Sequence, residues 1–284
     1  MADHFDLVKV NHVNAITDGH VDTIEHFRDR LGFQLNMEIP DGGDGVEACL
    51  MTLGRVMFEF FSPRQRGDKG QARLLDLYDD HYVGVEYQVP DVSVARELCA
   101  QRGVRIINDV GAFFFTHGGA CLGITFELWD GDWHAPQPDN PRFTEVAPLE
   151  QWRDEHPMGV VGTSRISVAV HDLDAAVATF SSLTGAPEIG RVERRNAAAT
   201  GAQLQAGDTV FELLAPTGDG PVAQYLDRYG ERIRSVVFAC VDLGRTERHL
   251  GAQGFTVVPG DADDAIAIPP AENKNLRFEF AAAG

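Results

Sequence analysis

The stretch Phe58-Glu59-Phe60 is apolar on both sides of a central glutamate, and the same pattern returns three more times. The other copies are Phe126-Glu127-Leu128, Phe211-Glu212-Leu213 and Phe278-Glu279-Phe280. Alternating apolar and polar residues are typical of a β-strand, so each copy predicts a strand. Four copies along one chain indicate an internal repeat, which fixes the fold before any single motif does.

Each copy closes a longer unit of the same design. A β-like run opens the unit, at residues 10–16, 83–89, 165–170 and 236–241. An amphipathic helical stretch follows, and it stops at a glycine suited to a left-handed C-terminal cap. The four capping glycines are Gly32, Gly103, Gly185 and Gly254. Short strands then lead to the glutamate strand, so the unit is predicted to be β-α-β-β-β.

The spacing of the units shows how they are related. The central glutamates lie 47, 43, 47 and 43 residues after His12, Gly84, Arg165 and Val236, so units one and three match, as do two and four. The sequence therefore predicts two related domains, at residues 1–130 and 159–284. Residues 131–158 are predicted to be a linker with one short helix near 149–155, because 5 of the 14 prolines fall there.

Composition excludes several classes of partner. The formal charge of −19, from 24 Lys+Arg and 43 Asp+Glu, disfavours nucleic acid and anionic membranes. No run approaches the roughly 20 apolar residues of a membrane span, and the start of the sequence lacks the features of a signal peptide. We expect a cytoplasmic protein, either a monomer or a homodimer. Its four scattered cysteines are expected to be reduced and buried.

Paired β-α-β-β-β units, with a polar residue in a first strand and a glutamate in each last strand, resemble the vicinal oxygen chelate superfamily. Glyoxalase I, methylmalonyl-CoA epimerase, extradiol dioxygenases and bleomycin-resistance proteins belong to it. The resemblance implies an α+β fold in which four βαβββ modules pair into two half-open-barrel glyoxalase-like domains. It also implies that metal ligands come from first and last strands on the inner surface of a barrel. The resemblance does not specify the reaction, because this architecture serves lyases, isomerases, oxygenases and plain binders.

Carried over position by position, the resemblance makes His12, Glu59 and Glu127 the metal ligands of the first domain. Gly84 stands where a second histidine would be expected. One imidazole and two carboxylates suit a single divalent ion, namely Zn, Ni, Co, Mn or Fe.

The second domain offers Arg165, Glu212, Val236 and Glu279 at the corresponding positions. A guanidinium there would replace the cation by an ion pair with Glu212 or Glu279. The second domain is therefore interpreted as a structural duplicate without metal, and an anion pocket that uses Arg165 is the alternative.

Residues two apart on a strand share a face, which adds candidates for catalysis. Asn14 shares the face of His12, and Glu86 shares the face of Gly84, so Glu86 is predicted to lie in the cleft. His117 is placed in a glycine-rich hairpin beside the cleft, whereas parity turns His81 away from it. The catalytic candidates are Glu59, Glu86 and His117.

The expected function is a metal-dependent lyase or isomerase of the glyoxalase or epimerase type. It would act on a small oxygenated substrate through an enolate or oxyanion that the metal stabilises. The aromatic residues at 113–115, with Trp129 and Trp133, are expected in the core and cleft wall, which also allows an aromatic substrate. Two alternatives stay open at this point: an extradiol ring-cleaving dioxygenase, and a non-catalytic binding or resistance protein.

Overall fold

Two eight-stranded sheets of the same design form the protein, according to a computed structural model that describes residues 3–43 and 45–284. The first sheet contains β1 (Lys9–Ile16), β2 (Gln34–Ile39), β3 (Val46–Leu53), β4 (Val56–Pro63), β5 (His81–Gln88), β6 (Ile106–Asp109), β7 (Phe113–Thr116) and β8 (Thr125–Trp129). The second contains β9 (Val160–Ala169), β10 (Glu188–Arg194), β11 (Ala199–Ala206), β12 (Thr209–Pro216), β13 (Arg232–Cys240), β14 (Val258–Pro259), β15 (Ala265–Ile268) and β16 (Arg277–Ala282).

Six α-helices accompany these strands in the described residues. They are α1 (His20–Glu25), α2 (Gly70–Tyr78), α3 (Val92–Arg102), α4 (Leu173–Thr184), α5 (Pro221–Tyr229) and α6 (Leu243–Ala252). A π-helical turn, His26–Arg30, extends α1, and Gly103 and Gly185 end α3 and α4 in the left-handed conformation, as predicted. The sequence did not reveal α2 and α5, which connect the two modules within each half. None of the helices in the described ranges is both long and apolar enough to cross a bilayer.

The strand order confirms four β-α-β-β-β modules paired two by two. It is β2-β3-β4-β1-β5-β8-β7-β6 in the first sheet, and the second sheet repeats it as β10-β11-β12-β9-β13-β16-β15-β14. In each sheet the first strands of the two modules lie antiparallel at the centre, and each pairs in parallel with the last strand of its own module. Each curled sheet forms a half-barrel, and its concave face receives side chains from these four central strands.

The convex faces of the two sheets pack against each other. Val13 and Ala15 of β1 and Ile166 of β9 belong to one buried apolar cluster that extends through both halves. The Phe58 ring contacts Phe278 of the other half, with ring centroids 5.4 Å apart. Because the convex faces share this core, the concave faces of the two half-barrels point in opposite directions.

The linker crosses the concave face of the first sheet and packs against it. Its start is fixed by Asn11, whose Nδ2 donates to the carbonyl of Gly131 at 3.0 Å. Further along, the Thr144 backbone N–H donates to the carbonyl of Asn36 on β2 at 2.7 Å. Phe143 packs between these points on a small apolar cluster of the concave face, made of Met37, Leu50 and Met57. The short helix expected near 149–155 is a π-helical turn at Gln151–Glu155. The domain limits at 130 and 159 stay a prediction.

Candidate functional site

One histidine and two glutamates meet on the concave face of the first sheet. His12 on β1 lies opposite Glu86 on β5, and Glu86 lies beside Glu127 on β8. His12 Nε2 is 3.3 Å from Glu86 Oε2 and 4.0 Å from Glu127 Oε2, and one ligand atom from each residue falls within 4.8 Å of the others. The neighbouring Val13 and Val85 point into the core, and this alternation places the three polar side chains on the opposite face.

Glu59 lies at the border of this group. It sits on β4 beside Asn14, and its Oε2 is 3.8 Å from His12 Nε2. Its side chain is 13% exposed, against 2–4% for His12, Glu86 and Glu127. The structure therefore gathers all four of these predicted residues, but Glu86 rather than Glu59 completes the most compact set.

The site holds more negative charge than its surroundings balance. Among the described residues, His12 is the only basic side chain within ion-pair distance of Glu59, Glu86 or Glu127. Burial, and then the charge of Glu86, raises the pKa of Glu127 well above its usual range, and burial raises the pKa of Glu59 to about 7. Burial alone would lower the pKa of His12, but the carboxylates of Glu86 and Glu59 outweigh it and raise that pKa. These directions describe a site that needs a proton or a cation.

Several buried polar atoms around the group have no hydrogen-bond partner among the described residues. They include His12 Nδ1, Glu86 Oε1 and Asn14 Oδ1. Asn14 does use its Nδ2, which donates to Glu127 Oε2 at 3.0 Å and so fixes that carboxylate. Unpartnered buried polar atoms are uncommon in proteins, and a cluster of them marks a place that a ligand or water completes.

Gly84 has no room for the histidine that the resemblance led us to expect. It lies between Asn14 on β1 and Thr125 on β8, and a Cβ atom at this position would approach the Thr125 carbonyl oxygen to 1.9 Å. A side chain here would push the central strands apart, so the missing ligand is a feature of the packing.

The other two histidines considered from the sequence lie elsewhere. His117 is exposed, and its Nδ1 accepts a hydrogen bond from the Gly119 backbone N–H at 3.0 Å, which caps a 3-10 turn at Gly118–Ala120. His81 is buried near the junction of the halves, where its Nδ1 donates to the carbonyl of Asp79 at 2.7 Å. The structure does not bring either of them into the group around His12.

Aromatic side chains accompany Glu127 along strands β7 and β8. Phe115 lies directly opposite Glu127 on the neighbouring strand, and its ring contacts that of Phe113. Trp133 of the linker contacts both Trp129 and Phe143, with ring centroids 5.1 Å and 5.5 Å apart. The aromatic run at 113–115 is thus divided, because Phe114 is fully buried in the core.

The second sheet carries different side chains around the positions that correspond to His12, Glu59 and Glu127. The ion pair expected at Arg165 is present, with its Nε 3.3 Å from Glu212 Oε1. Arg194 also binds Glu212, through Nε at 3.0 Å and Nη2 at 2.5 Å. Both Glu212 and Glu279 are completely buried, and Glu279 accepts a hydrogen bond from Arg277 Nε at 2.9 Å.

The position assigned to Val236 needs a correction. We expected it to correspond to Gly84, but Val236 pairs with Phe278 and lies in the core between the sheets. Ser235 and Val237, which pair with Ser167 and Arg165, occupy the concave face instead, because the chain between the first and last strands of this module is one residue longer than in the module of Gly84. Val237, beside Glu279, is then the counterpart of Glu86 beside Glu127.

Four charged residues around Glu212 and Glu279 in the second half were not identified from the sequence. Arg277 could have been identified from the sequence, because it lies two residues before Glu279 and so shares its face. Arg234 lies within the bulge, where strand parity gives no guidance. Arg194 and Asp261 approach the site from distant parts of the chain, without a local signal.

Comparisons with known proteins agree with this architecture. Residues 164–267 match the sequence family described as the Glyoxalase/Bleomycin resistance protein/Dioxygenase superfamily. The chain has no significant sequence match among curated proteins.

Solved structures extend the likeness to both halves. A mutant of 4-hydroxymandelate synthase from Streptomyces coelicolor is 14% identical over 98% of this chain and 94% of its own, with a TM-score of 0.76. A fusion of a xylose isomerase-like TIM barrel with a 4-hydroxyphenylpyruvate dioxygenase is 12% identical over 98% of this chain and 49% of its own, with a TM-score of 0.65. Methylmalonyl-CoA epimerase from Mycobacterium tuberculosis is 24% identical over 44% of this chain and 90% of its own, with a TM-score of 0.41. At these identities the likeness concerns the fold.

Proposed function

We propose that the chain is a member of the vicinal oxygen chelate superfamily and that its first half is the active site of a divalent-metal-dependent enzyme that moves a proton on a small oxygenated substrate. The observation that carries the proposal is the buried group of His12, Glu86 and Glu127, whose carboxylates have no arginine or lysine partner in the described residues. Burying uncompensated carboxylates is costly, and a bound cation removes that cost.

The three side chains fit a divalent ion by their chemistry. His12 offers an imidazole nitrogen, and Glu86 and Glu127 offer carboxylate oxygens within the same 4.8 Å. Such a donor set suits Mn, Co, Zn, Ni or Fe. When bound, the ion would accept oxygens of the substrate and stabilise the negative charge that develops when a proton leaves.

Glu59 is the group we assign to proton transfer. It lies beside the three ligands but outside their compact set, and it is the most exposed of the four side chains. Its Oε2 is 3.8 Å from His12 Nε2, so it lies next to the ligand group while keeping some exposure. A carboxylate at that position can take a proton from the substrate and return it on the other side of the reaction.

Asn14 and the aromatic walls complete the arrangement. Asn14 Nδ2 holds Glu127 Oε2, which orients one ligand before any cation arrives. Phe115, opposite Glu127, and Trp133, which packs on Trp129, offer flat apolar surfaces near the ligands. They favour a substrate with an apolar or aromatic part attached to its oxygenated end.

This proposal is preferred over a dioxygenase because the site has a single histidine. Non-haem iron oxygenases commonly use two histidines and one carboxylate, and packing closes the Gly84 position to a second histidine. It is preferred over a plain binding protein because a metal-free binder would have to keep three carboxylates, those of Glu59, Glu86 and Glu127, buried together without a cation.

Proton exchange tests the proposal directly. Metal-loaded protein in D2O should exchange the hydrogen next to the carbonyl of a 2-oxo acid or hydroxy-carbonyl substrate, followed by proton NMR. Glu59→Gln should keep the metal and lose the exchange, whereas Glu127→Gln should lose both. Oxygen uptake with ferrous iron and catechols would indicate a dioxygenase instead, and bound but unchanged compounds across the panel would indicate a binding protein.

A further inference from the structure

A cavity lies at the junction of the two halves, away from the metal site. It has a volume of about 320 Å³ and is bordered by α5, by the starts of β5 and β13, and by the segment before β16. Its lining includes Arg234 and Arg277 together with the tyrosines Tyr82, Tyr225 and Tyr229. None of the residues assigned above to the metal site lines it.

Buried carboxylates hold both arginines in place from one side. Arg277 donates through Nε to Glu279 Oε1 at 2.9 Å and through Nη2 to Asp261 Oδ1 at 3.1 Å. Arg234 donates through Nη1 to the other oxygen of Asp261, and the same nitrogen lies 3.9 Å from Glu279 Oε1. Arg234 is only 4% exposed, so its guanidinium is fixed by packing as well as by charge.

The opposite edges of the two guanidiniums are unused. In the part of the chain that the structure describes, no hydrogen bond involves Arg234 Nε, Arg234 Nη2 or Arg277 Nη1. These nitrogens keep some accessible surface, and both arginines line the cavity. Guanidinium N–H groups in fixed positions are well suited to bind carboxylate or phosphate oxygens.

The charge of the surrounding cluster favours the same kind of ligand. Four arginines, including Arg165 and Arg194, contact three carboxylates, those of Glu212, Asp261 and Glu279, which leaves one positive charge over. Nearby, the guanidinium of Arg232 lies 4.0 Å from the centre of the Tyr78 ring and adds to the positive potential.

Two of the three tyrosines present rings rather than free hydroxyls. Tyr82 donates to the carbonyl of Arg277 at 2.9 Å, and Tyr225 donates to the carbonyl of Ile233 at 2.6 Å. The hydroxyl of Tyr229 accepts a hydrogen bond from Asn275 Nδ2 at 3.0 Å, which leaves its hydrogen able to donate. Since the hydroxyl hydrogens of Tyr82 and Tyr225 are engaged with protein, their ring surfaces are what they offer to the apolar body of a ligand.

We propose that this cavity is a binding site for a small organic anion, with its carboxylate or phosphate on Arg234 and Arg277 and its planar apolar body against the tyrosine rings. The site is separate from the metal site of the first half and does not depend on the function proposed for it.

Calorimetric titration of the full chain in phosphate-free buffer tests the site. Benzoate and phenyl phosphate are the two anionic probes, and they distinguish a carboxylate site from a phosphate site. Benzyl alcohol is the neutral probe of similar size. At least one anion should bind with a stoichiometry of one, and benzyl alcohol should bind at least about tenfold more weakly, because it lacks charge-assisted hydrogen bonds.

Gln224→Glu is the decisive variant, because replacing Arg234 risks unfolding the buried ion-pair cluster. Gln224 is an exposed residue on α5 at the cavity, so this change of equal size adds a carboxylate there without disturbing the core. It should weaken anion binding about tenfold with an unchanged unfolding temperature. The matched control, Gln253→Glu, places the same charge on an exposed residue after α6 and should leave binding unchanged.

Glu127→Gln separates this site from the metal site. Anion binding that persists in Glu127→Gln supports the proposal, whereas its loss would assign the anion to the metal. The proposal is overturned if neither anion saturates the protein at about 10 mM, if benzyl alcohol binds as tightly as the anions, or if Gln224→Glu binds them as the natural chain does.

Discussion

The two concave faces share one architecture and differ in how they balance buried carboxylates. Where β1 carries His12, β9 carries Arg165, and where β5 carries Glu86, β13 carries Val237. The glutamate of the last strand is kept in both, as Glu127 and Glu279. In the second half arginines neutralise it from within the protein, whereas in the first half His12 is the only basic side chain of the described residues near it.

This difference shows that a last-strand glutamate does not by itself mark a metal site. Glu212 is completely buried and bound by Arg165 and Arg194, so its carboxylate is fully used inside the fold. The residues of the first strands decide whether the buried glutamates of a half are balanced by arginines or leave a place for a cation. A histidine with a second carboxylate leaves a place for a cation, and an arginine fills that place.

The largest effect on metal binding should follow from replacing Glu86 of the first half by valine, the residue at the corresponding position of the second half. Glu86→Val copies Val237 and removes one of three ligands, so divalent metal binding should weaken by more than the roughly 10–100-fold that loss of an outer-shell partner causes. Turnover should fall with it. Metal titration followed by elemental analysis measures the change, and metal binding equal to that of the natural chain would refute the assignment of Glu86.

The reciprocal change is its matched control. Val237→Glu should create no second metal site, because the added carboxylate would meet Arg165 across the strand pair and the other arginines of this half. A second equivalent of bound metal in this variant would show that the arginines do not exclude a cation.

Equivalent glutamate substitutions should affect stability differently in the two halves. Glu279→Gln leaves Arg277 and Arg234 facing a neutral group in a buried cluster, and should lower the free energy of unfolding by about 3–5 kcal/mol. Glu127→Gln in metal-free protein should change it by less than about 1 kcal/mol, because burial already favours the neutral form of Glu127. Urea unfolding monitored by circular dichroism compares the two. Equal losses would remove the contrast on which this account rests.

Metal should stabilise the protein through the first half alone. At a free concentration about 100 times its dissociation constant, a bound ion adds about 2.7 kcal/mol to the free energy of unfolding. His12→Ala should abolish that gain, and Arg165→Ala should preserve it even though the starting stability is lower. The same gain in His12→Ala would place the ion elsewhere.

The smallest effect concerns the pH dependence of metal-free protein. Glu59 faces His12 and Glu86, and burial raises its pKa to about 7, so its neutral form favours folding. That contribution is complete below the unfolded pKa near 4.5 and is lost as the pH rises through about 7. Glu279 has the opposite sign: although burial opposes it, Arg277 and Arg234 lower its pKa, so its contribution is lost as the pH falls below 4.5.

Urea midpoints of metal-free protein between pH 5 and pH 8 measure the first of these contributions. The natural chain should lose stability across this range, and Glu59→Gln should lose less. Parallel curves for the two proteins would show that Glu59 is not held neutral.

Much of this arrangement was accessible from the sequence. The repeat predicted four modules in two halves, and the polar position of each first strand placed His12 and Arg165 correctly. Strand parity also placed Glu86 on the inner face, where the structure brings it to 3.3 Å from His12.

The features that could not be predicted from the sequence depend on strand register and on contacts between residues far apart in the chain. The stretch from β13 to β16 is one residue longer than that from β5 to β8, so the inner positions are the neighbours of Val236, and Arg234 lies in a bulge. Whether Glu59 or Glu86 completes the compact group depends on distances of a few ångströms across three strands. The path of the linker over the first half follows from contacts such as that of Thr144 with Asn36, which are far apart in sequence. The oligomeric state and the cellular location stay predictions.

An anomalous diffraction map of crystals grown with Mn²⁺ or Zn²⁺ tests the central claim most directly. We predict one peak per chain, in the first half, bound by His12, Glu86 and Glu127, and no peak beside Glu212 or Glu279 in the second. A map without a peak among those three residues, or with its peak in the second half, would contradict the account.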